Sequence, residues 1–544
     1  MRQPKQGSRR KKLPIYGVLV GVAAFTGFGL LLLVLRSADP TDAGFIIRPS
    51  ERELDLSWSI GNGTVSKKKS CATVEEMGES FSASTWEESL RVRRLIHRHF
   101  LINGAERVRK LPPEQFCRHG FVLGKASEAG FGNEMYKILN GAALSVLLNR
   151  SLIIGQTRKK FPFGDYVAYS NISFTLNEVK HLWRLNGCID KYGRHLVMRT
   201  DDFLKPAKSN ILCSNWKKWD EAIIWFQNTT DAVATQFFLK NVHPEMKDAA
   251  SDLFGQPELL DSRPNVFGEL MRVLITPSKG VEEAVNWVLG GRTDPDVSLH
   301  MRMLMNRPVK ASHAALNCIK RAMETLPQSR RPWVVLVSDT PSFVESILPN
   351  VTEFAEVVRF DYKQFQGSIS QHVNGLRALD FRAKDWGPAP RWVAFVDFFL
   401  AARAKYAVVS GAHRRVGTTY AQLIAALAAA NRLGETPPAS NFSFLSSFQK
   451  NLLTDGLRLQ VGWGHVWNRY AGPLSCRNQH HQCAFTPLLP PAWWDGLWQS
   501  PLPRDIRRLA AFGVKLSGFG TIDESYLRSH CKLRKTTVET TVIL

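Results

Sequence analysis

The sequence predicts an α/β protein: two Rossmann-like domains following an N-terminal transmembrane helix. Three observations lead there. A β-loop-α-β unit lies at about residues 121–155, and a longer alternation of short apolar strands and amphipathic helices occupies about 280–435. An uncharged apolar run also covers Leu13–Leu35.

The N-terminus sets the compartment. MRQPKQGSRRKK carries Arg2, Lys5, Arg9, Arg10, Lys11 and Lys12 and no acid. At about 1.5 Å per residue, the following LPIYGVLVGVAAFTGFGLLLLVL can cross a hydrocarbon layer of about 30 Å. It is longer than the apolar region of a signal peptide and runs directly into Arg36, so an uncleaved anchor over 13–35 is expected. The basic flank makes 1–12 a cytosolic tail and places the remainder in the secretory lumen.

All eight cysteines (71, 117, 188, 213, 318, 476, 483, 531) then lie in an oxidising compartment, where disulfides are expected with no pairing chosen. Asn-x-Ser/Thr triplets occur at Asn62, Asn149, Asn171, Asn228, Asn350 and Asn441. The formal charge is +23, from 71 Lys and Arg against 48 Asp and Glu. In the lumen that surplus points away from nucleic acid and toward another anion, such as a phosphorylated donor or an acidic substrate.

Residues 36–110 read as a stem, with one amphipathic helix in STWEESLRVRRLIHRHFL. A first Rossmann-like domain spans 111–279. Its strand GFVLGK leads into a Gly-rich turn, a helix and the strand SLIIG. In the helix Met135, Ile138, Leu139, Ala142, Val146 and Leu147 share one face. SNWKKWDEAIIWFQN and DAVATQFFL are read as helices covering this first sheet. A second domain, 280–435, alternates GVEEAVNWVLGG, VSLHMRM, ASHAALNCIKRAMETL, WVVLVS, TPSFVESIL, AEVVRF, RWVAFVDFFLAARA, YAVVS and TTYAQLIAALAAA. The Pro/Trp-rich residues 436–544 read as an extension packed outside.

Four constellations carry the candidate chemistry. The turn Gly130-Phe131-Gly132-Asn133 is not a dinucleotide fingerprint, because Met135 occupies the position of the third glycine. Its glycines still admit a ligand to backbone amides at a helix start, and Asn133 offers a carboxamide; a plain tight turn is the alternative. On VSLHMRM, alternation puts His300 and Arg302 on one face and Leu299 and Met301 on the other. A guanidinium at a strand's carboxyl end can grip a phosphate by its planar fork, or simply form a structural ion pair.

Ser338 and Asp339 close a buried strand, where Asp339 either caps the next helix or reaches a ligand. In VVSGAHRRVGTTYAQL, Arg414, Arg415, Thr418 and Thr419 surround a helix start, as a diphosphate cradle or as a capped turn with solvated arginines. Asp397, on the preceding helix, either orients one of these arginines or is a surface acid.

Other clusters read as bystanders. Asp294-Pro295-Asp296 precedes a strand instead of following one, and Asp201-Asp202 reads as the start of a loop. Cys476, His480, His481 and Cys483 have zinc-like chemistry, but a lumenal setting favours a disulfide. No metal site is expected.

Assembled, these residues resemble the GDP-fucose-dependent fucosyltransferases of GT-B architecture: protein O-fucosyltransferases, α1,6-fucosyltransferases and plant xyloglucan fucosyltransferases. The resemblance rests on GFGNEMYKILNGAALSVLLNRSLII with its Gly-x-Gly-Asn loop and LNR, then HMR, then VSDTP and VGTTYAQL, over about residues 116–430. It implies a metal-independent, inverting glycosyltransferase with GDP-fucose as donor and a glycan or glycoprotein as acceptor, anchored as a type II protein of the Golgi membrane.

It implies that Arg302 binds the β-phosphate, with His300 a possible helper and no carboxylate evident as general base. Gly132 and Asn133 would lie near the fucose or its phosphates, and Ser338, Asp339, Thr418 and Thr419 would contact GDP. The family's last loop is usually serine-rich with an aromatic; here it carries His413-Arg414-Arg415. Another nucleotide sugar, or a catalytically inactive lumenal sugar- or GDP-binding protein, is the alternative.

Overall fold

The computed structural model describes residues 85–126, 130–155, 163–229, 238–255, 264–301, 308–324, 326, 330–371, 389–410, 419–434, 444–447, 483–486, 507, 509–515, 523–535 and 537–544. The apolar run Leu13–Leu35 and the Asn62 and Asn441 triplets lie outside them, as does most of DAVATQFFL. Among the described residues no helix is long and apolar enough to cross a membrane.

Two mostly parallel sheets organise the compact unit Lys68–Leu544. The strands are β1 (Phe121–Lys125), β2 (Ser151–Gly155), β3 (Val167–Tyr169), β4 (Val197–Asp202), β5 (Ile223–Gln227), β6 (Ile275–Pro277), β7 (Val297–Met301), β8 (Trp333–Ser338), β9 (Glu356–Val358), β10 (Tyr406–Ser410), β11 (Phe444–Ser447), β12 (Cys483–Thr486) and β13 (Glu539–Val542). The first sheet has the order β13-β4-β5-β1-β2 and the second β12-β11-β10-β7-β8-β9, while β3 and β6 form a separate antiparallel pair. Within these two larger sheets, among the described residues, β13 and β12, each at a sheet edge, are the strands that run antiparallel to their neighbours.

The helices that matter for the site are α1 (Thr85–Asn103), α2 (Phe131–Leu148), α3 (Val266–Leu274), α4 (Lys279–Leu289), α5 (Pro308–Glu324), α6 (Pro341–Thr352), α7 (Val393–Ala401), α8 (Thr419–Arg432) and α9 (Glu524–Leu533). The β1-α2-β2 unit forms where its periodicity places it. Met135, Ile138, Leu139 and Ala142 of α2 are fully buried. Asn149 ends the helix in a left-handed conformation, φ 53°, which asparagine tolerates better than most residues. Arg150, the arginine of LNR, has a structural role: it donates to the carbonyls of Glu221 (2.6 Å) and Trp219, tying the start of β2 to the approach of β5.

Two expectations are corrected. SNWKKWDEAIIWFQN is not a helix but a 3-10 turn, Trp216–Lys218, followed by strand β5. Its Ile223 and Ile224 are both fully buried, so the central strand has no alternating pattern to distinguish it from a buried helix. The region 160–280 therefore supplies two strands of the first sheet, β4 and β5, as well as helices. Asp201 and Asp202 close strand β4, where a loop start was expected. Both are internal ligands of the fold: Asp201 accepts from Arg199 Nε (2.9 Å) and the Asn210 amide (2.7 Å), and Asp202 from the Leu204 amide (2.8 Å) and Asn228 Nδ2 (2.7 Å).

The segments flanking the two sheets pack into them. Helix α1 buries Val92, Ile96 and Phe100 in the main core, and its Arg93 holds Glu269 of α3 together with the Ala430 and Leu433 carbonyls at the end of α8. Leu509, Phe512, Val514 and Leu527 join the same core, and β13 adds the last edge to the first sheet. Disulfides Cys117–Cys188 and Cys213–Cys531 are formed, the second joining residues 318 apart in sequence. Cys318 is also disulfide-bonded.

Candidate active site

The topology of the second sheet locates the crevice. From β7 the chain proceeds outward through β8 and β9, then returns to β10 on the other side of β7 and continues to β11. Helices α5 and α6 pack on one face, with Ala315, Cys318, Ile319 and Phe343 against Val297, Leu299 and Met301. Helices α7 and α8 lie on the other, where Phe395, Val396, Leu423 and Ile424 share a core with Val335 and Val337. The strand order therefore reverses between β7 and β10, and ligands of open α/β sheets bind beyond the carboxyl ends of strands at such a point. His300 is the β7 residue in register with Val409 there.

Alternation along β7 holds as expected. Leu299 and Met301 face the α5–α6 core, and His300 turns to the α7–α8 side, where its ring lies 5.1 Å from that of Tyr420. Tyr420, in the first turn of α8, donates its hydroxyl to the Ala394 carbonyl of α7 at 2.6 Å. Burial, and then the nearby Asp397 carboxylate, hold that phenol well above its ordinary range.

Asp397 keeps a little accessible surface, yet its carboxyl is enclosed deeply enough that desolvation alone pushes it up to about 7. A surface acid is thus excluded. Its sequence context, VAFVDFFLA, carries the reason: a helix with so few polar residues is buried over most of its surface, and the acid goes largely in with it.

The Gly-x-Gly-Asn turn meets this cluster from the other sheet. Gly130 is the N-cap of α2 and no side chain caps that end. A Cβ on Gly132 would stand 2.5 Å from the Tyr420 nitrogen and 2.8 Å from the Thr419 carbonyl carbon. The missing side chain thus makes room for the backbone at the start of α8. Next to it, Thr419 Oγ1 donates to Asn133 Oδ1 at 2.9 Å, and deeper in, Tyr136 donates to Gln422 at 3.1 Å. Two helix N-termini, each the positive end of its dipole, are pressed together at one place.

Ser338 anchors the third strand end. Its hydroxyl donates to the Met301 carbonyl at 2.8 Å and accepts from the Thr340 amide at 3.2 Å, clamping the carboxyl end of β8 to that of β7. Asp339 is buried beside it, just ahead of α6. The N-cap is Thr340, which makes no side-chain cap and donates instead to Asp339 Oδ1 at 3.3 Å. Asp294 and Asp296 lie at the opposite end of the sheet. Asp296 is held by Arg330, Lys405 and the Trp333 amide, and Asp294 by Arg432.

Gly132, Asn133, His300 and Thr419 are therefore gathered about one place, with Ser338 and Asp339 at the neighbouring strand end. Arg302, Arg414, Arg415 and Thr418 lie outside the described residues, as do Cys476, His480 and His481. Tyr420 was not singled out from sequence, because a tyrosine at a helix start carries no distinguishing pattern. Among the described residues no group of His, Cys, Asp and Glu is arranged to hold a metal ion.

Comparison with known proteins places residues 66–543 in one family. The chain belongs to DUF7810, described as a family of unknown function. No curated protein matches it. Among solved structures it is similar to a mutant of FUT1 from Arabidopsis thaliana in complex with GDP, at 14% identity, TM-score 0.37, covering 64% of this chain and 78% of that one. It is also similar to fucosyltransferase NodZ from Bradyrhizobium, at 12% identity and TM-score 0.34, covering 62% of this chain and 96% of that one. A third likeness is to POFUT1 in complex with GDP, at 12% identity and TM-score 0.30, covering 57% and 95%.

Proposed function

We propose that this member of DUF7810 is a metal-independent, inverting glycosyltransferase that moves fucose from GDP-fucose to a glycan or glycoprotein acceptor, as a type II protein of the Golgi membrane. One observation carries the reading. The N-termini of α2 and α8 meet, through Gly132 and the Asn133–Thr419 bond, at the switch point beside His300, near the carboxyl end of β7, with Arg302 the next residue in sequence after that strand.

In this reading the crevice serves a leaving diphosphate. As the sugar–phosphate bond breaks, negative charge grows on the diphosphate and the sugar becomes oxocarbenium-like. Helix-start amides and the Arg302 guanidinium meet that charge in a site already organised for it. His300, held against Tyr420, borders the reacting end, and Ser338 fixes the carboxyl end of β7 at Met301. Arg414, Arg415 and Thr418, just before α8 in sequence, would add two cations and a hydroxyl for the same diphosphate. Asp397, near Tyr420, supplies a carboxyl that burial raises to about 7.

The test is a donor screen by calorimetry on the purified protein, comparing GDP-fucose with other nucleotide sugars, followed by turnover with and without excess chelator. GDP-fucose is expected to bind selectively and to turn over equally well in chelator. Arg302→Ala is expected to lower turnover about 10²–10³-fold, the size of loss seen when one preorganised donor to a developing charge is removed. Binding without turnover would make the protein a lumenal binder. Unchanged turnover in Arg302→Ala would overturn the mechanism, and strict dependence on manganese would overturn the metal-free reading.

A further inference from the structure

The donor site leaves the Asn-x-Ser/Thr triplets unexplained, and the structure separates them. Asn171 sits exposed in the turn that follows β3. Arg109 braces the backbone of that turn, donating to the Asn171 carbonyl at 3.0 Å and the Ser173 carbonyl at 3.4 Å while paired with Glu178 at 2.6 Å. These contacts hold the main chain and leave the Asn171 carboxamide to solvent. The adjacent Ile172 lines an open groove of about 640 Å³ with Phe100, Leu101, Arg107 and Leu111, in which Leu101 is 61% exposed.

Asn228 presents the opposite case. It is half-buried in a left-handed conformation, φ 64°, and its Nδ2 donates at 2.7 Å to Asp202, itself only 5% exposed. A sugar on that nitrogen would enter the space around a buried carboxylate. Asn149 and Asn350 are exposed, the first at the end of α2 and the second on α6.

We propose that Asn171 carries an N-linked oligosaccharide whose first sugars cover the Phe100–Leu101–Ile172 groove, and that the Asn228 triplet stays unmodified. The proposal rests on the lumenal placement of residues after Arg36 and is independent of the donor-site reading. The two disulfides and bonded Cys318 accord with an oxidising compartment. In the modification step, Asn171 Nδ2 forms a bond to the anomeric carbon of a lipid-diphosphate-linked oligosaccharide. The bond from that carbon to the diphosphate oxygen breaks, the lipid diphosphate leaves with the electron pair, and the amide gives up one proton.

The experiment expresses the whole 544-residue chain in a eukaryotic secretory cell. Glycans are then removed by amidase in heavy-oxygen water, and peptide mass spectrometry reads which asparagines have become labelled aspartate. Label at Asn171 and none at Asn228 is expected, with Asn171→Gln and Ser173→Ala each losing the mass of one glycan. Label at Asn149 or Asn350 without Asn171 would overturn the assignment and leave the lumenal placement standing. No label at any triplet would overturn both, and label at Asn228 in folded protein would overturn the closed-triplet half.

Discussion

Thr419 donates a 2.9 Å hydrogen bond to the Asn133 carboxamide, joining the starts of two helices 286 residues apart in sequence. Both residues lie in the first turn of their helices. Each fixes the other, and the backbone between them is close enough that only glycine fits at position 132.

Gly132→Ala should therefore push α2 from α8, costing about 1–3 kcal/mol as an overpacking change. Gly130→Ser, where a Cβ meets nothing within 4 Å, should stay within about 0.5 kcal/mol of the parent. Urea midpoints of the two variants check this, and equal midpoints would refute the close approach.

Asp397 should penalise folding at alkaline pH. Its carboxyl titrates at about 7 in the folded chain against 3.8 ordinarily, so the folded state retains a proton that the unfolded state gives up. Stability contributed by this group is lost as pH rises between those values. Asp397→Asn should be more stable than the parent at pH 8, with the advantage fading toward pH 4. If the donor site is as proposed, the same variant should also lose a kinetic limb near pH 7. Denaturation midpoints and a pH–rate profile read the two effects separately.

His99 and His119 should act in the opposite sense. Burial, assisted by mutual repulsion at His99 and by Arg150 at His119, lowers both to about 4 from 6.5. The unfolded chain takes up protons that the folded chain refuses, so stability falls as pH drops from about 6.5 toward 4. His119→Gln, which can keep a hydrogen bond to Ser151, should flatten that slope in a thermal-melt series from pH 7 to pH 4.5.

Ser338→Ala should destabilise the ligand-free protein by about 1–3 kcal/mol, because it leaves the Met301 carbonyl and the Thr340 amide without their shared hydroxyl. A hydroxyl serving only the donor would leave the ligand-free midpoint unchanged. If the donor site is as proposed, turnover should fall as well and return in Ser338→Thr, which restores the hydroxyl and hence the clamp between the ends of β7 and β8.

Local pattern made much of the fold readable before any tertiary contact was known. The β1-α2-β2 unit and the facing of His300 against Leu299 and Met301 follow from periods of 3.6 and 2, which depend only on backbone geometry. Strand β5 escaped because Ile223 and Ile224 are both buried, and a strand covered on two faces loses its alternation.

Residue chemistry alone determined which groups were worth following: a glycine pair before Asn133, an arginine after a strand-end histidine, and threonines at a helix start. Only the tertiary structure decided what several of them do. It filled the space at Gly132 with α8, engaged Ser338 with Met301, and packed Asp397 deeply enough that desolvation raises its carboxyl to about 7. The physical reason is that space, hydrogen-bond partners and desolvation belong to neighbours. Here those neighbours come from segments up to 286 residues away, so no local window of sequence contains them.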